Sequence, residues 1–413
     1  MKRIGKVFLL LIILLAYIGI VCLGVMLVIS DSETGSLLPL QPNVVASVTE
    51  NQKEKFQQVV SSTLSWSEEA LVKERQMSEY IEGKLSELTI EQKLAQMMIL
   101  TNENDITAAN LQKYQPGGVI FFEVDFKGKT IENVRNRVDV LQSYSKIPLL
   151  VGVDEEGGEV SRLKTLAERD VPNFQGAREL YKAGKDAIQT DTMLKMQYLT
   201  ELGINANFAP VADVVNANSS YMYLRSASGD AKEVGDYVQT VLSVMEESQV
   251  VSCIKHFPGY GDNVNTHDSL AKDNRSLSEY EGKDFLPFRT GIKVGVDMVM
   301  VSHIIMEEVD DKNPASLSAK VHTMLRDELD FKSVVIADDL NMQAILKTMT
   351  IEEATGEAFV AGNDMIFSAD FAASMKGAMN AMNEGRLKEA QVDESVRRIL
   401  RMKIEKGLLM VEE

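Results

Sequence analysis

The sequence predicts an α/β protein built as one (β/α)8 barrel of the TIM type, and three observations carry that reading. Eight short apolar, β-branched runs recur along the chain, each followed by polar or Gly-containing residues and then a stretch of helical period. The runs are continuously apolar rather than alternating, as in a parallel sheet covered on its outside. Spread over residues 85 to 413, eight such units suit a closed barrel better than an open doubly wound sheet. No G-x-G-x-x-G opens a helix after any of them, so a dinucleotide site has no support.

Taken in order, the elements begin with MKRIGK, residues 1–6, and VFLLLIILLAYIGIVCLGVMLVI, residues 7–29, which is 23 residues without a charge. At about 1.5 Å per residue this run crosses a bilayer core of roughly 30 Å, so a transmembrane helix is expected. Lys2, Arg3 and Lys6 precede it, and Asp31 and Glu33 follow. That asymmetry places the N-terminus in the cytoplasm and the remainder outside, as a single-pass protein of the cell membrane. A cleaved signal peptide is the rival, but its apolar core is usually about 7–15 residues and ends at a small-residue site. A lipid anchor at Cys22 is opposed by the bulky Ile20 and Val21 before it.

Residues 30–84 read as a linker and helical stalk. SDSETGSLLPLQPNVVASVTENQKEK is a polar tether with two prolines, and from Phe56 to Lys84 the residues Val59, Val60, Leu64, Leu71 and Val72 form a helical stripe. Thr89 with Gln92 three residues on is a capping box, and the main domain is set at 85–413. The predicted strands are MMILT (97–101), GVIFF (118–122), LLVGVD (149–154), INANFAP (204–210), VVSCIKHF (250–257), DMVMVSHI (297–304), SVVIADDL (333–340) and DMIFSAD (364–370). VDESVRRILRMKIEKGLL closes the chain as a helix.

Composition narrows the function classes. A hydrophobic content of 45% is ample for a large core, and the formal net charge of −18 argues against a nucleic-acid partner, whose phosphates call for Lys and Arg. The two cysteines, Cys22 and Cys253, offer neither a disulfide nor a zinc cluster. No obligate protein partner is evident.

In barrels of this kind chemistry gathers at the C-terminal ends of the strands. Here those ends carry Asp154 and Glu155, Lys255 and His256, His303, and Asp338 and Asp339. Adjacent charges after runs of Val, Ile and Met do not serve stability, since burying them unpaired costs several kcal/mol, so they point to a site. Single members have plainer readings: Asp339 and Glu156 as caps or hydrogen-bonded supports, His303 as a brace at a strand top, His322 as a solvated surface residue. Only His256 and His303 could serve a metal and they lie far apart in sequence, so no metal site is predicted. G-x-S-x-G is absent, which removes the common serine-nucleophile reading.

The segments GVDEEGGEVSRL (152–163), INANFAPVADV (204–214), Arg225-Ser226, KHFPGYGD (255–262), MVSHI (300–304), PASLS (314–318) and VVIADDLNM (334–342) together resemble glycoside hydrolase family 3, in its branch of bacterial β-N-acetylglucosaminidases of the NagZ type. The resemblance covers residues 85–413 in order and leaves no room for a second α/β sandwich domain. It implies that Asp338 is the nucleophile of a retaining exo-β-N-acetylhexosaminidase acting through a covalent glycosyl-enzyme. Asp154, Arg162, Arg225, Lys255 and His256 match residues that grip the sugar. The acid/base of this branch is the histidine of an Asp-x-His dyad on a loop; the matching triplet here is Asn265-Thr266-His267, one residue earlier than the usual spacing. His267 is thus the proton-transfer residue, its ring within the pKa range for such work. An Asn at 265 supplies a dipole where a charge is expected, with Asp262 or Asp268 as stand-ins. The substrate implied by the resemblance and the topology together is a terminal N-acetylglucosaminide in cell-wall fragments, with no metal or organic cofactor. A sugar-binding or regulatory protein impaired by Asn265 is the competing class.

Overall fold

The computed structural model describes residues 50–168, 171–262 and 271–411, with side chains from residue 69 onward. The chain divides into two compact units, Met1–Tyr80 and Ile81–Glu413. A helix runs from Glu50 to Glu87 over the stretch read as helical from 56 to 84. The expected anchor at 7–29 lies outside the described residues; among the described residues no helix is long and apolar enough to cross a membrane.

In the second unit the helix Ile90–Gln96 starts at the anticipated capping box. Thr89 Oγ1 accepts the Gln92 N–H, and Gln92 Oε1 accepts that of Thr89, which satisfies two N–H groups that the first turn leaves free. The strands follow: β1 (Met98–Leu100), β2 (Gly118–Phe121), β3 (Leu150–Val153), β4 (Ala206–Asn207), β5 (Val251–Phe257), β6 (Ala271–Asp273), β7 (Met298–Val301), β8 (Ile304–Met306), β9 (Val334–Ala337) and β10 (Ile366–Ser368). Eight of them form one parallel sheet in the order β10-β1-β2-β3-β4-β5-β7-β9. A bridge between Ile336 and Met365 brings β9 back to the residue ahead of β10, so the sheet nearly closes on itself. Every residue of these eight strands is buried, as expected when helices cover the outside and side chains fill the inside. All eight predicted runs are barrel strands, in the predicted order.

Three local differences have physical causes. The run 204–210 contributes only Ala206 and Asn207 to the regular ladder: Pro210 has no N–H to donate, and beyond Asn207 the pairing with β5 continues irregularly, Ala209 O and Pro210 O accepting the Cys253 and Lys255 N–H groups. The run 297–304 is two strands. Ser302 N–H donates to Phe257 O and ends the barrel pairing, and β8 then pairs with β6 in a small parallel ribbon that the sequence reading did not include. His322 is a correction. It was expected on a solvated surface, yet it is 3% exposed, donating from Nδ1 to Ser318 O and packed on Gly362. A five-residue helix is too short for a polar stretch to reveal which side it buries, and burial pushes this imidazole below its ordinary pKa.

Gly152 shows why one position in a strand has no side chain. A Cβ there would lie 2.5 Å from Phe208 Cε2, so the glycine of β3 makes room for the ring that follows β4 inside the barrel. At the N-terminal face, Asp364 joins Arg326 and Arg398 and accepts the Val335 N–H and Ser395 Oγ–H. This ties the closing helix Glu389–Glu405 to the start of β9.

Candidate active site

The opposite, C-terminal face assembles polar side chains from several strand ends. Lys255 lies in β5, where the register against β7 shifts between Ile254 and Phe257. Such an irregularity re-aims side chains, and both Lys255 and His256 find acids here. Lys255 Nζ sits 2.6 Å from Asp154 Oδ1 and 2.8 Å from Glu156 Oε1. Glu156 in turn takes Arg225 Nε on Oε2 and Nη2 on Oε1, both at 2.8 Å, in a bidentate pair. The Arg225 guanidinium also lies over the Tyr221 ring, 5.6 Å from its centroid.

The result is a chain Asp154–Lys255–Glu156–Arg225 that joins the end of β3, β5 and the segment after β4. Burial alone would raise the Glu156 pKa, but Arg225 and Lys255 more than offset it and hold the carboxyl well below the usual range. Burial likewise works against charged Lys255, and Asp154 and Glu156 reverse the sign and push it up. Glu156, Lys255 and Arg225 therefore stay ionised at neutral pH.

Next to this chain, His256 Nδ1 lies 2.8 Å from Oδ2 of Asp213, which is fully buried. The same oxygen accepts the His256 backbone N–H at 3.2 Å, while Oδ1 accepts that of Tyr260 at 2.6 Å. Arg162 is half-buried beyond the turn after β3, where Gly157 and Gly158 take φ of 89° and 59°, values open to glycine and costly elsewhere. Glu155 Oε2 accepts the N–H groups of Arg162 and Leu163 and holds that turn, and burial raises the Glu155 pKa. Arg162 Nε is buried with no acceptor among the described residues.

Asp338 stands one residue past β9, half-buried. Its N–H donates to Val301 O at 2.9 Å, and its Oδ1 accepts the Asp339 N–H at 2.8 Å. The buried Cys253 thiol, two residues before Lys255, is pushed up by burial, and the carboxylates of Asp154 and Asp338 both act on it. Asp154 follows the last residue of β3 as Asp338 follows that of β9, so both acids stand at C-terminal ends of barrel strands. Asp339 is a support, as expected: its Oδ1 accepts from the Asn341 N–H and side-chain amide, and its carbonyl meets His303 Nε2 at 2.9 Å. His303 Nδ1 lies 2.7 Å from Ser316 Oγ, so this histidine braces the strand top.

His267 and Asn265 fall outside the described residues, as does Asp268. Asp262, the other stand-in, spends Oδ1 on the N–H groups of Asn216 and Ala217 and so fixes a turn. The sequence reading missed Asp213 and gave Glu156 only a supporting part. Both lie inside segments quoted for the resemblance, and for Asp213 the available signal was an acid within an otherwise apolar stretch.

The Glycosyl hydrolase family 3 N terminal domain matches residues 89–402. Beta-hexosaminidase A of Pseudoalteromonas piscicida is 29% identical over 330 residues, covering 71% of this chain and 54% of that protein. A beta-hexosaminidase of Nitrosomonas eutropha is 30% identical over 295 residues, covering 68% of this chain and 83% of the other. The structure of a glycoside hydrolase family 3 beta-N-acetylglucosaminidase from Paenibacillus sp. superimposes with a TM-score of 0.73 at 30% identity, over 78% of this chain and 63% of that one. The match thus spans about half of the first relative and under two thirds of the Paenibacillus enzyme.

Proposed function

This chain belongs to glycosyl hydrolase family 3, and on that premise we propose that it is a retaining exo-β-N-acetylhexosaminidase that removes terminal β-N-acetylglucosamine, with peptidoglycan fragments outside the cytoplasmic membrane as its natural source. The relatives' names support the sugar, and the expected N-terminal anchor supports the location. The observation that carries the reading is the half-buried Asp338 carboxylate one residue past the end of β9, at a C-terminal strand end like that of Asp154 after β3.

In the proposed reaction the sugar is gripped by Asp154, Lys255, Arg225, Arg162 and His256. Asp338 attacks C1 as the C1–O bond to the aglycone breaks, and His267 gives its proton to the departing oxygen. His267 then takes a proton from water, whose oxygen attacks C1 and frees Asp338, so the anomeric configuration is retained. His267 enters on the sequence resemblance. Asn265 favours a second reading, a sugar-binding protein of low turnover, because an amide cannot stabilise the imidazolium as a carboxylate does.

Hydrolysis of p-nitrophenyl β-N-acetylglucosaminide separates the two. The enzyme reading expects turnover that falls by roughly 10⁴-fold or more in Asp338→Ala, a size typical for loss of a nucleophile. It also expects His267→Ala to lose most on substrates with poor leaving groups, and a first-formed β-anomer by NMR. Tight binding without turnover selects the binding protein, and an α-anomer rules out retention. Asn265→Asp is expected to raise the rate on poor leaving groups; an unchanged rate means another acid already serves His267.

A further inference from the structure

We propose that Asp213 is a positioning residue for sugar recognition: it holds the His256 imidazole in the Nδ1–H tautomer, so that Nε2 offers a lone pair to a sugar hydroxyl. This rests on the reading of the barrel mouth as a sugar site. Asp213 lies in the segment after β4, fully buried, and its orientation is set by two backbone donors, the His256 N–H on Oδ2 and the Tyr260 N–H on Oδ1. A carboxylate so held has only acceptors to show, so the ring nitrogen 2.8 Å from it must carry the proton.

The ring itself has little freedom. Its side chain is 7% exposed, and the Tyr260 ring packs edge-on against it with centroids 5.7 Å apart. With Nδ1 turned inward onto a buried acid, the far edge of the imidazole, with Nε2, faces away from Asp213. Two residues of one strand then divide the work of recognition. Lys255 can only donate, and His256 in the Nδ1–H tautomer accepts through Nε2, so the pair reads both senses of a hydroxyl. A hydroxyl that donates to His256 can at the same time accept from a neighbouring cation, which an unfixed ring would not specify.

The test uses the full chain labelled with ¹⁵N at its four histidines, with long-range ¹H–¹⁵N spectra at neutral pH and the His256 signals identified by their loss in His256→Gln. The expected wild-type pattern is a proton-bearing Nδ1 and a bare Nε2. A proton on Nε2, or on both nitrogens, overturns the proposal. Asp213→Asn, whose amide can donate to the ring, is expected to move the proton to Nε2, while Asp213→Glu keeps it on Nδ1. If Asp213→Asn fails to fold, the wild-type spectrum still decides. In kinetics, Asp213→Asn is expected to lower kcat/KM for aryl β-N-acetylglucosaminides on the order of a hundredfold, the cost of a misplaced binding group. The factor should be equal for good and poor leaving groups and partly restored in Asp213→Glu. A loss that grows as the leaving group worsens overturns the proposal, since it makes His256 an acid/base. Absence of turnover in the wild type instead refutes the hydrolase reading, and the spectrum continues to report on the tautomer independently.

Discussion

Lys403 illustrates how a single residue links pH to stability. It sits wholly buried on the closing helix, donating to Gln96 Oε1 and Gly117 O, and burial pushes its pKa down to about 7 from 10.5. Below about pH 7 both native and unfolded chains hold the proton, and the native state bears the full cost of the buried cation. Above it the native amine sheds the proton that the unfolded chain keeps, so this residue makes unfolding free energy rise by about 1.4 kcal/mol per pH unit towards pH 10.5. Urea midpoints from pH 6 to 10 are expected to show that slope in the wild type and not in Lys403→Met, with the variant the more stable at pH 6. Glu156 has the same sign in a lower pH window: its carboxyl is depressed, so its contribution is present above the ordinary carboxylate range and lost on acidification. Glu156→Gln leaves Arg225 and Lys255 without their shared charge, and is expected to cost about 3–5 kcal/mol at neutral pH and to raise KM. An unchanged urea midpoint would refute the shared-anchor role.

Elements are decided by what touches them. β3 has a glycine at 152 because the Phe208 ring occupies the space of a side chain. Gly152→Ala is therefore expected to overpack the barrel interior and lower stability by about 1–3 kcal/mol, seen as an earlier urea midpoint with the helical circular dichroism retained. An unchanged midpoint would mean that the ring yields freely. The break between β7 and β8 has the same kind of cause, since His303 is held between Ser316 Oγ and Asp339 O and belongs to neither ladder.

Across the whole barrel, two polar clusters occupy opposite faces. Lys255, Glu156 and Arg225 gather at the C-terminal ends, where Asp338 also follows β9, whereas Asp364, Arg326 and Arg398 fasten the closing helix at the N-terminal face. Two clusters with no shared partner should act independently. Asp364→Asn is expected to lower the melting temperature while leaving KM near the wild-type value below the transition. In combination with Glu156→Gln its stability cost should add to within about 0.5 kcal/mol. A larger departure would reveal coupling through the barrel.

The barrel was legible in the sequence because each of its strands is a continuous apolar run and each run is followed by helical spacing; that pattern repeats eight times and has few other solutions. The acids and bases at the strand ends were legible for the same reason, as charges where an apolar run stops. The partners of those charges were not. Lys255 and Asp154 are 101 positions apart, Arg225 and Glu156 are 69 apart, and His256 and Asp213 are 43 apart, so no local spacing joins them. His322 shows the same limit in reverse, a polar residue in a short helix buried by a neighbour that the sequence does not place beside it. Local periodicity determines elements because it depends on residues a few positions apart, whereas ion pairs, tautomers and pKa values depend on which distant side chains the closed barrel brings within hydrogen-bonding distance.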